Sequence, residues 1–367
     1  MDKFVLKELV TSNLESELEK IGFDIAYRKK ASDKYRYKTF KIFDLTIPQA
    51  NILKQTALSF GADCAVHRDV LVNKIDKTNV ILGGSYSQII KICEKLRQQP
   101  FSLKILAENI ESQLQNKNRK TKLVGILNIT PDSFSDGGKY LGANEAIKQL
   151  NQLVEDGADI VDIGAESTRP GANPISSEIQ IERLKPILKS LPNVPISVDT
   201  RSAEVAEYAL ENGATIINDV SGMDFDSRLA DVVAKYNATL VIQHSTGDAG
   251  NIIKYNDVVE EVYLSLLNKT KLAQEKGVKN IILDVGIGFG KTQEDNFELL
   301  NRIEEFHSLN LPLMVGISRK SMLGVSNEDN LTKDALTLAV SYPLINKVDY
   351  LRVHNPKLHR QLLRLAI

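Results

Sequence analysis

Cysteine is nearly missing from this chain, with two thiols, Cys64 and Cys93, in 367 residues. That scarcity excludes a disulfide framework and points to a reducing compartment. Cys64 and His67 form half of a metal-ligand pattern, but no second pair follows, so both are read as structural. Long apolar runs are missing as well. No stretch approaches the length of a membrane span, and MDKFVLKELV lacks an extended apolar region before Glu15, Glu17 and Glu19, which speaks against a signal peptide. Charge of one sign is also missing, since the formal net charge is -1. Lys and Arg outnumber Asp and Glu in residues 1–120 and the reverse holds beyond, an asymmetry too mild and dispersed to indicate nucleic acid. The expectation is a soluble cytoplasmic protein with neither a membrane nor a nucleic acid as partner.

What is present is an ordinary globular composition, 43% apolar and 25% charged, on a chain longer than one average domain. The polar basic stretch NKNRKTK, residues 116–122, separates two patterns and is taken as a linker between domains at 1–115 and 123–367. The first part predicts strands at 37–45 and 79–82, a short apolar piece around Cys64, and helices after Pro48, Gly84 and Pro100, a small α+β unit. The second is more regular. Short β-rich runs recur at LVGILN, DIVDIG, PISVDT, TIIND, TLVIQH, NIILDVG, PLMVGIS and VDYLRVH, separated by amphipathic helix patterns that several times end in Gly. Eight strands alternating with helices over about 250 residues predict a (β/α)8 TIM barrel, with a doubly wound open sheet as the competing fold.

Nearly every run ends in a residue that a buried strand would not choose: Asn128, Glu166 just past the second run, Asp199, Asn218 with Asp219, His244, Asp284, Ser318 leading to Arg319 and Lys320, and Arg352 with His354. In a closed parallel barrel those ends share one rim, where active sites of this fold are built. Asp199, Asp284 and Asn218 suit a flat nitrogen heterocycle with an amino-pyrimidine edge. Lys320, Arg169, Arg352 and His354 suit a phosphate or pyrophosphate. The loop GAESTRPGANP reads as a flexible cover, with Thr168 and Arg169 reaching in and Pro170-Gly171 shaping the turn. DVGIGFGKT looks like a nucleotide loop but fails on spacing: Val285 stands where the phosphate loop needs Gly, and Lys291 where the dinucleotide fingerprint does.

The motifs LNITPDSFSDGG, DIGAESTRPG, SVDT, INDVSG, LDVGIGFGKT, GISRKSMLG and LRVHN, in that order, resemble dihydropteroate synthase, the folate-pathway family inhibited by sulfonamides. The resemblance covers residues 121–367. It implies a transferase that condenses 7,8-dihydropterin-6-ylmethyl pyrophosphate with para-aminobenzoate to give 7,8-dihydropteroate and pyrophosphate, with Mg²⁺ as cofactor and a homodimer as assembly. Carried over by position, Asp199, Asn218, Asp284 and Lys320 resemble the pterin holders and Phe289 walls the pocket. Asn128 resembles the residue that meets Mg²⁺ and pyrophosphate; Arg352 and His354 match the anion clamp, with Thr168 and Arg169 from the second mobile loop. Ser321 resembles the contact for the aminobenzoate carboxylate, alongside Phe134, Thr168, Arg169 and Pro170. Asp132, Ser133, Phe134, Ser135, Asp136 and Gly137 form the first mobile loop, and Arg169 and Gly171 belong to the second. The catalytic set is then Asp199, Asp284, Lys320, Arg352 and His354.

Three positions depart from the commonest family pattern: Val285 for proline, Ser245 for an apolar residue, and Asn355 for aspartate, the last bearing on how His354 is oriented. A pterin-binding methyltransferase barrel and a catalytically silent binding module are the alternatives. In the first domain, NILKQTALSFGADCAVHRDV and QPFSLKILAENI are similar to an N-terminal extension of some family members, with packing or assembly as the default role.

Overall fold

The computed structural model describes residues 4–9, 14–115, 119–129, 139–166, 175–246, 251–324 and 328–365. It divides into two compact units, Met1–Lys117 and Asn118–Ile367.

The first unit runs α1 (Leu14–Lys20), α2 (Arg28–Ser32), β1 (Tyr37–Thr46), α3 (Ile47–Ser59), β2 (Asp63–Val66), β3 (Lys77–Ser85), α4 (Tyr86–Leu96) and α5 (Leu103–Leu114). Its three strands pair antiparallel in the order β1-β3-β2. The turns into α3 and α4 are written locally. Thr46 N–H donates to Gln49 Oε1 at 2.9 Å and Ser85 N–H to Gln88 Oε1 at 2.8 Å, the capping-box exchange that satisfies backbone groups a helix start leaves orphaned. Leu53, Leu82, Ile89, Ile92 and Leu96 fill the core between helices and sheet. Both cysteines belong to it, and burial pushes the Cys64 thiol up to about 11 and Cys93 up to about 12, so neither is a nucleophile near neutrality. His67 instead caps a short turn, accepting from Asp69 N–H at 3.2 Å.

The second unit is a closed barrel of eight parallel strands: β4 (Lys122–Asn128), β5 (Ile160–Gly164), β6 (Ile196–Asp199), β7 (Ile216–Asp219), β8 (Thr239–Gln243), β9 (Asn280–Asp284), β10 (Leu313–Val315) and β11 (Tyr350–Val353). Between and after them run α6 (Lys139–Glu155), α7 (Ser177–Leu188), α8 (Ala203–Glu211), α9 (Leu229–Lys235), α10 (Val258–Glu275), α11 (Gln293–Asn301), α12 (Asn330–Ser341) and α13 (Pro356–Leu365). Pairing of β11 with β4 closes the ring, which excludes the open sheet. Three of the helices stop at glycines with positive φ, Gly157, Gly213 and Gly277, as their sequence endings predict. The tail of the expected linker belongs to this unit: Arg119 pairs with Asp349, Thr121 Oγ1 donates to Val348 O at 2.7 Å, and Lys122 opens β4.

Strand parity decides what the barrel encloses, because successive side chains point to opposite faces. One parity, with Leu127, Ile163, Val198, Ile217, Ile242, Leu283 and Val315, packs outward in the large core shared with the helices. The other points inward. Val124, Ile160, Ile216, Val241, Ile282 and Met314 make a separate apolar plug at the N-terminal end. One pleat further along, the inward positions hold Asp162, Asp199, Asn218, Asp284 and Arg352. The layer above it is polar because β5, β7, β8, β9 and β11 each follow an inward apolar residue with an inward polar one, whereas β4 keeps Ile126 at that step and reaches Asn128 one pleat later.

Candidate functional site

Register places the polar layer edge to edge. Asn128 lies beside Gly164, Gly164 beside Asp199, and Asp199 beside Asn218, while Asp284 follows across β8 as the neighbour of Gln243. Gly164 keeps a gap open in that ring. A Cβ there would lie 3.3 Å from Asn128 Oδ1 and 3.8 Å from Asp199 Cβ.

Arg352 is the cation at the centre of this layer. Its Nε donates to Asp162 Oδ2 at 2.7 Å and its Nη2 to Asp199 Oδ2 at 2.9 Å, while Asn218 Nδ2 donates to the same Asp162 oxygen at 3.0 Å. Side chains from β5, β6, β7 and β11 are thus locked into one network. The sequence reading missed Asp162. Its signal was present, since Asp162 is the inward residue one pleat before the end of DIVDIG, but attention to strand ends passed over it. The network is not closed on itself. Among the described residues, Asp162 Oδ1 and Asn218 Oδ1 are buried without a hydrogen-bond partner, and buried acceptors of that kind call for donors from outside the protein.

The ionisation of the site follows from this crowding. Burial, opposed by Arg352 and reinforced by Asp162, raises the Asp199 carboxyl to about 7. Asp284 is also raised by burial, with Lys320 and the Gly286 N–H, which donates to its Oδ1 at 2.8 Å, pulling the other way. Burial lowers Lys320 to about 8 against the pull of Asp284. Neighbouring carboxylates hold the Arg352 guanidinium above its ordinary value despite burial. The mouth therefore carries acids that are reluctant to ionise and a lysine that is reluctant to protonate, an arrangement that an incoming charge can tip.

The β10–α12 segment brings the remaining cation. Lys320 Nζ bonds to Ile287 O and sits 4.7 Å from the centroid of the Phe289 ring, so loop 285–291 and Lys320 form one wall. Gly288 leaves room for it; a Cβ there would come within 3.1 Å of Lys320 Cδ. Ser321 is exposed and opens a single 3-10 turn, Ser321–Leu323. His354 is half-buried, with Nδ1 2.9 Å from Ser318 Oγ, which also accepts from the His354 N–H at 3.1 Å. That answers the question raised by Asn355: Ser318 orients the histidine, while Asn355 Nδ2 donates to Asp334, itself paired with Arg319. Val285 sits wholly buried in the outer core.

Other polar strand-end residues serve the loops. Asp219 accepts from Ser221 N–H and Oγ and from Met223 N–H, and His244 contacts Lys291. Asp132, Ser133, Phe134, Ser135, Asp136 and Gly137, and likewise Thr168, Arg169, Pro170 and Gly171, lie outside the described residues. Among the described residues no cluster of His, Cys, Asp and Glu could hold a metal by itself. No described helix is long and apolar enough to cross a membrane.

Comparison with known proteins now adds to this geometry. The family model described as "Pterin binding enzyme" matches residues 124–354. Dihydropteroate synthase of Clostridium beijerinckii is 40% identical over 255 residues, 67% of this chain and 93% of that protein. A Helicobacter pylori protein named bifunctional dihydropteroate synthase/dihydropteroate reductase is 31% identical over 374 residues, 98% of each. The crystal structure of the Clostridium difficile dihydropteroate synthase in the presence of pteroic acid superposes with a TM-score of 0.64 at 37% identity, covering 68% of this chain and 97% of that one. The chain spans 40% of the length of the longer archaeal relatives it matches, which are named probable bifunctional folylpolyglutamate synthase/dihydropteroate synthases.

Proposed function

The chain belongs to the pterin-binding enzymes and, among them, to the dihydropteroate synthases of folate biosynthesis, and from that premise we propose how its barrel divides the work. The reaction joins 7,8-dihydropterin-6-ylmethyl pyrophosphate to para-aminobenzoate and releases pyrophosphate. Asp199, Asn218, Asp284 and Lys320 hold the pterin, and Phe289 walls it. The observation that carries this assignment is the pair of buried orphan acceptors, Asp162 Oδ1 and Asn218 Oδ1, at the floor of the mouth. A pterin presents an amino group and ring N–H donors along one edge, and a flat heterocycle is the ligand class that satisfies such a row.

Arylamines are weak nucleophiles, so the chemistry is governed by departure of pyrophosphate, a dissociative substitution at the pterin methylene. Arg352 on β11 and His354 just past its end face the leaving group, joined by Thr168 and Arg169. Arg352 has two roles in this reading, because its Nε and Nη2 also neutralise Asp162 and Asp199. As positive charge develops on the pterin, Asp199 and Asp284 are drawn toward their ionised forms and stabilise it, a preorganised field in a low-dielectric site. Ser321, Phe134 and Pro170 serve the aminobenzoate, and the two loops cover both substrates.

Asn128 Oδ1, a hard neutral oxygen beside the Gly164 gap, fits a Mg²⁺ held mainly by pyrophosphate oxygens, which is how this ion prefers to bind. Its contribution when bound is to neutralise the leaving group. The same premise carries a cytoplasmic homodimer, which sedimentation velocity would test. Stoichiometric pyrophosphate release on mixing the two substrates tests the reaction; binding of the pterin without release would favour a silent module, and methyl transfer without release the methyltransferase reading.

A second reading concerns the N-terminal unit. The Helicobacter pylori relative matches the full length of the chain and bears a second named activity. We propose that the first unit contributes a dihydropteroate reductase activity, in place of a packing role alone. The step adds a hydride and a proton to the dihydropterin ring, so it needs a hydride donor, a reduced nicotinamide or flavin, which is oxidised in turn; with that donor supplied, loss of product reduction on deleting residues 1–117, with synthase turnover retained, is the expected result, and unchanged reduction by the remaining barrel would refute it.

A further inference from the structure

The loop DVGIGFGKT fits neither nucleotide fingerprint, and its lysine is buried. Lys291 is only 5% exposed. Its Nζ lies 3.0 Å from His244 Nδ1, 2.9 Å from Gly286 O and 3.0 Å from Phe289 O. Burial, and then the charge of Lys320, lowers Lys291 to about 7, and in its protonated form the three N–H donors of the ammonium meet these three acceptors. Burial, and then the charge of Lys291, lowers His244 to about 3, so its ring is neutral and Nδ1 accepts.

The backbone is folded around that ammonium. Gly286, Gly288 and Gly290 have φ of 68°, 80° and 64°, and a Cβ on Gly286 would lie 1.8 Å from His244 O. Carbonyls 286 and 289 turn toward Lys291, whereas carbonyl 287 turns to Lys320. Gly286 N–H donates to Asp284, and Gly288 N–H donates to Asn296 Oδ1 at 2.7 Å, which secures the loop to α11. A buried ammonium is costly to stability, and a hydrocarbon of similar length would fill the space more cheaply.

We infer that Lys291 is a positioning residue for the pterin site: its Nζ fixes loop 286–289 so that the Gly286 N–H aims the Asp284 carboxylate and the Ile287 carbonyl, with the Phe289 ring, aims Lys320. It acts through the loop and touches no substrate. The inference rests on the reading of Asp284 and Lys320 as pterin holders.

The test is steady-state kinetics of Lys291→Met with each substrate varied in turn, beside melting followed by circular dichroism. The expected result is a loss of about tenfold or more in kcat/KM for the pterin substrate, since displacements near 1 Å cost up to about a hundredfold, with KM for para-aminobenzoate unchanged. His244→Ala removes one of the three acceptors and should show the same split to a smaller extent; it serves where Lys291→Met yields no soluble protein. Wild-type kinetics in folded Lys291→Met would overturn the inference, as would equal losses toward both substrates tracking a lowered melting temperature. Retained pterin binding in Asp284→Asn and Lys320→Met would instead overturn the underlying assignment.

Discussion

Asp199→Asn separates the electrostatics of the site from its packing. Raising this carboxyl from 3.8 to about 7 makes its ionisation in the folded barrel costlier than in the unfolded chain by about 4 kcal/mol, at about 1.4 kcal/mol per unit. The sign follows from linkage. Below pH 3.8 both states hold the proton and nothing is lost; between 3.8 and about 7 only the folded state keeps it, so stability falls as pH rises, and above about 7 the fall is complete. More than half of it lies between pH 5 and pH 8. The amide cannot ionise, so the variant lacks this slope. It also weakens one partner of Arg352, whose charge-assisted bond at 2.9 Å contributes about 1.5–3 kcal/mol, which offsets the gain in absolute stability without altering the slope. The chain has no tryptophan, so unfolding is best followed by far-UV circular dichroism in urea at both pH values, with the double difference as the readout. Turnover should be lost at either pH. Parallel slopes in the two proteins, or turnover retained by the variant, would refute the reasoning.

Asp284→Asn should lose turnover far more than fold, because the amide keeps the shape and the bond from Gly286 N–H but withholds charge from the pterin; near-normal kcat would count against it. Arg352→Met leaves Asp162 and Asp199 buried without their cation and should cost about 3–5 kcal/mol, along with pterin binding, read by melting and calorimetry. Gly286→Ala meets backbone at 1.8 Å and should destabilise by about 3 kcal/mol or more, whereas Gly324→Ala, at φ 70° with none of the described residues within 4 Å of the added Cβ, should cost only about 1 kcal/mol. Equal melting temperatures for those two would show that crowding at loop 286–290 is not what selects glycine.

The barrel was legible because its signals are local and repeated. TIIND and TLVIQH fall within a residue of β7 and β8, and apolar runs of one length with helices between them admit few architectures. PLMVGIS reads longer than β10, which stops at Val315, one residue before Gly316. Helices α1 and α2 went unread; they are only seven and five residues long, so periodicity has little to act on. Strand ends pointed to Asp199, Asn218, Asp284 and Arg352, since a polar residue terminating an apolar run stands out. Asp162 and Lys291 did not, for opposite reasons. The first sits inside a strand where only inward parity marks it, and the second sits in a loop whose spacing resembles other motifs. Asp162 pairs with Arg352 across 190 positions and Lys291 with His244 across 47, and no single-sequence pattern encodes either pairing.

The central claim is that opposed charges around one barrel mouth draw pyrophosphate away before the arylamine attacks. The secondary deuterium isotope effect on kcat/KM at the pterin methylene measures this directly. A clearly normal effect is predicted, as the methylene carbon flattens toward a cation held by Asp199 and Asp284. An effect of unity would place the arylamine in the bond-breaking step and contradict the account.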